Sequence, residues 1–299
     1  MKTKIECPID FIKTQQYNLV IDEDPECLIV DPGTSKFLDQ SYFSSYNNLK
    51  IVGTPSTGVS HIDMVYLAQK NIKTFCLLDD RENLNKITAS AEYTWLHIMN
   101  GFRKFNLACN NTSGWRNLEN ENLLRTNELS DKNILIIGLG RIGKNVKKYA
   151  QAFKMNITYY DPYVQDDEIN RVYSLKNLLK YDCICVSCYL NNETRGLVDK
   201  DFLSETKENV ILINTSRGEV VNENELCNRI INSKMYYGCD VLCNEQNIEF
   251  LKKSKLYNLS KVLNRVVVTP HVAGATFESQ TKAFDTIIKL CRQYYERNF

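Results

Sequence analysis

The sequence predicts an α/β protein built on parallel sheets. Three observations carry that prediction. Short apolar, β-branched runs alternate with helical stretches, the pattern of strands joined by crossover helices. One such run, Asn133 to Ile137, leads directly into Gly138-Leu139-Gly140-Arg141-Ile142-Gly143. A second, Asn156 to Tyr160, ends on Asp161. Together these describe a Rossmann-type doubly wound parallel sheet, accompanied by a smaller α/β unit at the chain start.

The glycine run is the most specific of the three. Glycines at 138, 140 and 143 let the chain turn tightly and bring bare backbone against a phosphate pair. The helix that opens after Gly140 aims its N-terminal amides at the same anion. Asp161, at the end of the next strand, can accept hydrogen bonds from an adenosine ribose. Strand, glycines, helix, strand and acid in register are a dinucleotide signature, and the acid favours NAD over NADP. A glycine-rich turn in an ordinary α/β fold is the poorer reading.

Length and composition are consistent with this. A chain of 299 residues holds about two domains. Lys plus Arg is 37 and Asp plus Glu is 36, a net charge of +1, so nothing points to nucleic acid or an anionic membrane as partner. Eleven cysteines are many, yet several sit inside apolar runs, as in Cys183-Ile184-Cys185-Val186-Ser187-Cys188. Cys185 and Cys188 have Cys-x-x-Cys spacing. They fall in a predicted buried strand, where alternate side chains point to opposite faces, and no second pair completes a zinc site. Core packing is favoured over a redox or metal role, no metal is expected, and reduced packed thiols indicate a cytoplasmic protein. Met1 to Tyr17 is too polar for a signal peptide, and no apolar stretch is long enough to cross a bilayer.

Element by element, residues 26–31 and 49–53 read as short buried strands, Ile62 to Lys70 as a helix and Ile72 to Leu78 as another strand. From Ala89 the period changes. Ala91, Trp95, Ile98, Met99, Phe102 and Phe105 recur at helical spacing and predict a long amphipathic helix. Asn110 to Asn127 is polar and reads as a loop or extended arm anchored by Trp115. Strands follow near 133–137, 156–160, 182–187, 210–214, 236–241 and 265–269, with helices between. A last helix runs from Ser279 to about Arg297.

Three polar side chains fall at ends of predicted strands in the C-terminal half: Arg217, Glu245 and His271. In an open parallel sheet, ligands bind beyond the carboxyl ends of the strands, so all three lie on the dinucleotide's side. A 2-keto acid reduction needs this set. A cation fixes the substrate carboxylate and polarises its carbonyl. An imidazole delivers a proton to the oxygen. A carboxylate orients the imidazole and favours its protonated form. Taken singly, each has a plainer reading: a surface salt bridge, a solvated loop acid, a capping or core histidine. His97, inside the long helix, and His61, near a helix start, read as packed residues. This leaves His271 as the proton donor. The segment Thr54-Pro55-Ser56-Thr57-Gly58-Val59 follows a strand, and its amides can form an anion nest. On local sequence alone an ordinary strand-to-helix turn is the better reading of it.

With these residues together, the chain resembles the D-isomer-specific 2-hydroxyacid dehydrogenases from about residue 26 onward. The likeness runs through Ser56-Thr57-Gly58-Val59-Ser60-His61-Ile62-Asp63, Ala91-Glu92-Tyr93-Thr94 and the glycine run. It continues through Glu193-Thr194-Arg195-Gly196-Leu197, Asn214-Thr215-Ser216-Arg217-Gly218, Gly238-Cys239-Asp240-Val241 and Thr269-Pro270-His271. The resemblance implies a flavodoxin-like α/β substrate domain made of residues 1–90 and 276–299, and a Rossmann NAD-binding domain, 91–275. It implies a homodimer built around the middle domain, with the long helix and the Trp115 arm as contacts. Arg217, Glu245 and His271 match the family's catalytic trio, and Gly58 and Val59 its substrate-carboxylate amides. Gly138, Gly140, Arg141, Ile142, Gly143, Asp161, Thr215 and Asp240 match positions on the NAD side: the pyrophosphate turn, the ribose ligand Asp161, and Asp240 at the nicotinamide amide.

The chain also departs from the family. Where a His-x-Pro-Leu-Thr segment is usual beside the adenosine, it has Ser187-Cys188-Tyr189-Leu190-Asn191. Gln246 replaces the usual Pro after Glu245. Asp79-Asp80-Arg81-Glu82 is a charged stretch in which Arg81 is a candidate for a second anionic group of the substrate; a solvated loop is an equal reading. The expected activity is hydride transfer between NAD and a 2-hydroxy acid/2-keto acid pair. Two other readings stay open: a formate- or phosphite-type dehydrogenase of the same fold, and an NADH-sensing binding protein like the family's corepressors.

Overall fold

A computed structural model describes residues 1–6, 17, 19–30, 36–110, 118–245 and 247–299, with backbone alone at 118–120 and 248. Trp115 and Gln246 lie outside the described residues. The chain divides into two compact units, Met1–Ile87 with Ala275–Phe299, and Thr88–Gly274.

The first unit contains strands β1 (Lys2–Glu6), β2 (Val20–Ile21), β3 (Cys27–Val30), β4 (Ile51–Gly53) and β5 (Lys73–Phe75). It also contains helices α1 (Gln40–Phe43), α2 (Met64–Gln69) and α3 (Arg81–Leu84), and the C-terminal helix Phe277–Asn298. Among the described residues the sheet is five-stranded, with order β2-β1-β3-β4-β5 and every pairing parallel. This is the flavodoxin-like order. β3 shows why the unit packs. Cys27 and Ile29 face Phe284, Ile287, Ile288 and Cys291 of the C-terminal helix, while Leu28 and Val30 face Phe43 and Leu67. Period-2 alternation with both faces apolar is what a sheet covered on both sides requires.

The second unit begins with helices α4 (Ala89–Arg103), α5 (Phe105–Cys109) and α6 (Leu118–Leu124). β6 (Asn133–Ile137), α7 (Arg141–Ala152), β7 (Asn156–Tyr160), β8 (Asn170–Arg171) and β9 (Cys183–Val186) follow. Then come α8 (Lys200–Ser204), β10 (Ile211–Asn214), α9 (Glu223–Ile231), β11 (Tyr236–Cys239), α10 (Ile248–Lys253), α11 (Lys255–Val262) and β12 (Val266–Val268). Among the described residues the strands form a seven-stranded sheet, order β12-β11-β10-β9-β6-β7-β8, with every pairing again parallel. The chain runs from β6 outward to β8, then returns to place β9 on the other side of β6. That reversal is the switch point at which such sheets open a ligand crevice.

The strand sequences account for the core. Ile134 and Ile136 of β6, with Cys183 and Cys185 of β9, face Trp95, Ile98 and Phe102 of α4 and Val146 and Ala150 of α7. Leu135, Ile137, Ile184 and Val186 face Phe202, Leu203, Leu226 and Ile230. Truncating any one of these buried aliphatics to Ala costs about 3 kcal/mol. Cys183 and Cys185 are fully buried, and burial pushes the Cys185 thiol up to about 12, so these side chains act as small core hydrophobes. In the stretch expected to be a loop, residues 110–127, the structure forms α6, seven residues rich in Leu, Glu and Asn. Alternation and charge composition hid it, because a helix with few apolar positions shows no clear 3.6 period. The strands β1, β2 and β8 are also illegible in sequence: β2 and β8 are two-residue strands at sheet edges, β1 alternates charged residues with Thr3 and Ile5, and all three exist through pairing.

Candidate active site

The glycine turn is built as its spacing predicts. Gly138 has φ +91°, a left-handed conformation that L side chains resist, and its N–H donates to the Tyr160 carbonyl at 2.9 Å. A Cβ on Gly138 would stand 2.6 Å from the Cys188 backbone, and one on Gly143 would stand 2.1 Å from the Gly138 oxygen. A Cβ at Gly140 would meet nothing within 4 Å. Two glycines therefore close the turn and the third leaves its outer side open, which is the cradle a pyrophosphate fits. Gly140 is the N-cap of α7, with Arg141 and Ile142 as its first residues. The Arg141 guanidinium is largely desolvated, which lowers its pKa. Asp161 completes the turn. Its Oδ2 accepts from the Leu139 N–H at 2.8 Å, and its Oδ1 from the amides of Tyr163 and Val164 at 2.8 and 3.0 Å. A carboxylate has lone pairs for about four such bonds, so room remains for a ribose hydroxyl.

Arg217, Glu245 and His271 all stand beyond carboxyl ends of strands in the second unit, after β10, β11 and β12. His271 Nδ1 lies 2.5 Å from Glu245 Oε1. The Glu245 hydrogen bond raises the His271 pKa most. Desolvation opposes it, the charges of Glu245 and Asp240 add to it, and the nearby Arg217 charge subtracts. The imidazole side chain is 49% exposed, so a ligand can reach it. Glu245 Oε2 accepts from the Leu242 amide at 2.9 Å, which ties the carboxylate to its own loop. Arg217 donates to the Ser216 carbonyl, and its own carbonyl accepts from Asn214 Nδ2. Gly218 lets the Arg217 segment approach the Glu245 segment: a Cβ there would stand 2.1 Å from the Leu242 carbonyl carbon.

His271 has φ +54°, uncommon for a residue with a Cβ. The surrounding bonds impose it. Asp240, 1% exposed, accepts from Thr269 Oγ1 at 2.6 Å, from the Val272 amide at 3.0 Å and from the Ala273 amide at 2.7 Å. The Asp240 carboxylate thus grips the chain on both sides of His271. Thr215 is buried, with its hydroxyl 2.6 Å from that of Thr94. His97 is buried beside Thr269, and burial brings its pKa down to about 4, so it stays neutral.

Sequence reasoning missed two members of this neighbourhood. Glu223, the first residue of α9, accepts from the Cys243 amide at 2.7 Å and so holds the loop that carries Glu245. Burial raises its pKa, the Cys243 hydrogen bonds oppose this, and the Glu219 and Glu245 charges add to it. Ser187, where the family's histidine is usual, donates to the Gly138 carbonyl at 2.8 Å. Neither role carries a local signal, since both partners are distant in sequence.

Gly58 and Val59 lie in the first unit, after β4. Their amides donate to no acceptor among the described residues, and Ser56 Oγ bonds the Gly58 carbonyl at 2.6 Å. His61 is buried, its Nε2 3.4 Å from Thr54 Oγ1. Arg81 opens α3 on the exposed surface, and Asp80 caps that helix through the Asn83 amide. Among the described residues no group of three or more His, Cys, Asp or Glu could hold a metal ion, and no helix is long and apolar enough to cross a membrane.

Comparison with known proteins bears on the family and the fold. Residues 95–273 match the model of the D-isomer specific 2-hydroxyacid dehydrogenase NAD binding domain. A Staphylococcus saprophyticus protein bearing the 2-hydroxyacid dehydrogenase name is 33% identical over 285 residues, covering 90% of this chain and 83% of the relative. Among solved structures, the D-lactate dehydrogenase of Aquifex aeolicus, complexed with NAD and lactic acid, has a TM-score of 0.73 at 24% identity, over 97% of this chain and 87% of that one. The NAD-dependent formate dehydrogenase of Staphylococcus aureus has a TM-score of 0.78 at 22% identity, over 99% and 95%. At such identities the structural likeness shows the fold, which enzymes with different substrates share. The chain itself belongs to the D-isomer specific 2-hydroxyacid dehydrogenase family of oxidoreductases, and its second unit carries that family's NAD-binding domain.

Proposed function

We propose that the protein interconverts a D-2-hydroxy acid and its 2-keto acid, with His271 as acid/base, Glu245 orienting it and Arg217 binding the substrate. The observation that carries this reading is the 2.5 Å contact of His271 Nδ1 with Glu245 beside the Arg217 charge. When bound, NAD supplies or takes up the hydride. Glu245 occupies Nδ1 and favours the imidazolium, which leaves Nε2–H to protonate a keto oxygen; in oxidation the neutral ring takes that proton back. Arg217 fixes the substrate carboxylate and polarises the neighbouring carbonyl. In the first unit, the amides of Gly58 and Val59, which donate to no acceptor among the described residues, suit a carboxylate. On the coenzyme side, Gly138, Gly140, Arg141, Ile142 and Gly143 cradle the pyrophosphate, Asp161 accepts from the ribose, and Thr215 and Asp240 line the nicotinamide end.

Loss of NADH absorbance across a panel of 2-keto acids, phosphorylated and not, tests the reaction. Rapid turnover of one member supports it. Failure of all of them, with NADH still bound, would favour the coenzyme-sensing reading. His271→Ala is expected to bind NADH as before and lose at least about 100-fold in turnover; full turnover would show that another group is the acid. Arg81→Ala with an unchanged KM for the true substrate would remove Arg81 from the site. Leu96 and Phe105, exposed at 55% and 66% on α4 and α5, support a homodimer, which light scattering would report as twice the 34.6 kDa chain mass.

A further inference from the structure

We propose that Glu193, held by Tyr163 across the mouth of the dinucleotide turn, is a second coenzyme-selecting carboxylate that disfavours a 2′-phosphate. The proposal rests on the NAD-binding assignment and concerns residues that the assignment does not use. β7 and β9 are the two neighbours of β6, so the segments after them flank the Gly138–Gly143 turn on its two sides. Tyr163 stands on the first, two residues past Asp161, with 77% of its surface exposed. Its hydroxyl donates to Glu193 Oε2 on the second, at 2.9 Å. A single side-chain bridge therefore spans the crevice in which the adenosine half of a dinucleotide is placed by this topology.

Both ends of the bridge are fixed. The amide of Tyr163 donates to Asp161 Oδ1 at 2.8 Å. Around Glu193 the chain closes on itself: Asn191 Oδ1 accepts from the Glu193 and Thr194 amides, both at 2.9 Å, and Thr194 Oγ1 donates to the Tyr189 carbonyl at 2.7 Å. This turn starts at the end of Ser187-Cys188-Tyr189-Leu190-Asn191, the segment in which Tyr189 stands where the family usually has proline. Its internal bonds hold the exposed Glu193 carboxylate against Tyr163. The Tyr163 hydroxyl feels the charges of both Glu193 and Asp161 and its pKa is raised by both, with the Glu193 hydrogen bond first. Two negative charges thus bear on one end of the crevice. Arg171 also stands beside Asp161, its guanidinium donating to the Asp161 carbonyl at 2.6 Å. A 2′-phosphate brought there gains from Arg171 and loses to the two carboxylates. Asp161 accepts from three amides already, so Glu193 adds a second negative charge to the side on which a 2′-phosphate would sit.

The test is coenzyme binding, read by NADH and NADPH fluorescence titration of the full chain, for wild type, Glu193→Gln and Tyr163→Phe. Both side chains are on the surface, so the variants keep the fold, as circular dichroism would verify. Glu193→Gln is expected to tighten NADPH about fivefold and leave NADH within about twofold, and the gain should shrink at high salt. Tyr163→Phe should move the ratio the same way by less, since it frees the carboxylate without removing its charge. An unchanged NADPH-to-NADH ratio in Glu193→Gln, or a wild type that binds both equally, would overturn the proposal. A wild type that binds neither coenzyme would overturn the dinucleotide assignment with it, so the two failures are distinguishable.

Discussion

Nδ1 of His271 lies 2.5 Å from Oε1 of Glu245, and this contact sets the proton affinity of the imidazole. A histidine with a raised pKa keeps its proton to higher pH. In the proposed mechanism reduction draws its proton from the imidazolium, so it should hold at low and neutral pH and fall as pH rises through the raised pKa. Oxidation needs the neutral ring and should show the mirror-image limb. Glu245→Gln removes the charge that raises the pKa. The reductive limb is expected to shift to lower pH, and oxidation at lower pH should improve relative to reduction. Rate–pH profiles of kcat/KM in both directions check this; an unmoved limb would detach Glu245 from the titration.

Asp240 grips Thr269, Val272 and Ala273 and so fixes the left-handed backbone of His271. Asp240→Ala leaves the amides of Val272 and Ala273 without their acceptor and the Thr269 hydroxyl with only the Cys239 carbonyl to accept from it. The expected cost is about 3 kcal/mol of stability together with a loss of kcat. Asp240→Asn keeps one acceptor oxygen and should recover part of both. Urea denaturation beside steady-state kinetics makes the comparison; an alanine variant as stable and active as wild type would exclude the positioning role.

Glu223 holds the Cys243 amide, two residues before Glu245. Glu223→Ala should free that loop, cost about 1 kcal/mol of stability and lower kcat more than it raises KM, because the loop carries the partner of the imidazole rather than a substrate contact. Glu223→Gln retains an acceptor and should stay near wild type. Equal behaviour of the two variants would show that the hydrogen bond is idle.

Much of this molecule is determined by the sequence alone, for a physical reason. Buried strands of a parallel sheet must be apolar on both faces, so β6, β7, β9, β10, β11 and β12 announce themselves as runs such as Asn133–Ile137 and Ile211–Asn214. The glycine turn is equally local, since φ +91° at Gly138 and the closeness of Gly143 to the Gly138 carbonyl admit no side chain. Arg217, Glu245 and His271 stand out as candidates in the sequence because strand ends are legible and ligands gather beyond them. Tertiary structure alone decided the rest. The strand order β2-β1-β3-β4-β5 and the short strands β1, β2 and β8 depend on which backbones find each other. The grip of Asp240 on the His271 segment, that of Glu223 on Cys243, and the bridge from Tyr163 to Glu193 join residues 20 to 33 positions apart. Such hydrogen bonds leave no periodic trace in the chain. They form only once packing has brought the carboxyl ends of neighbouring strands side by side.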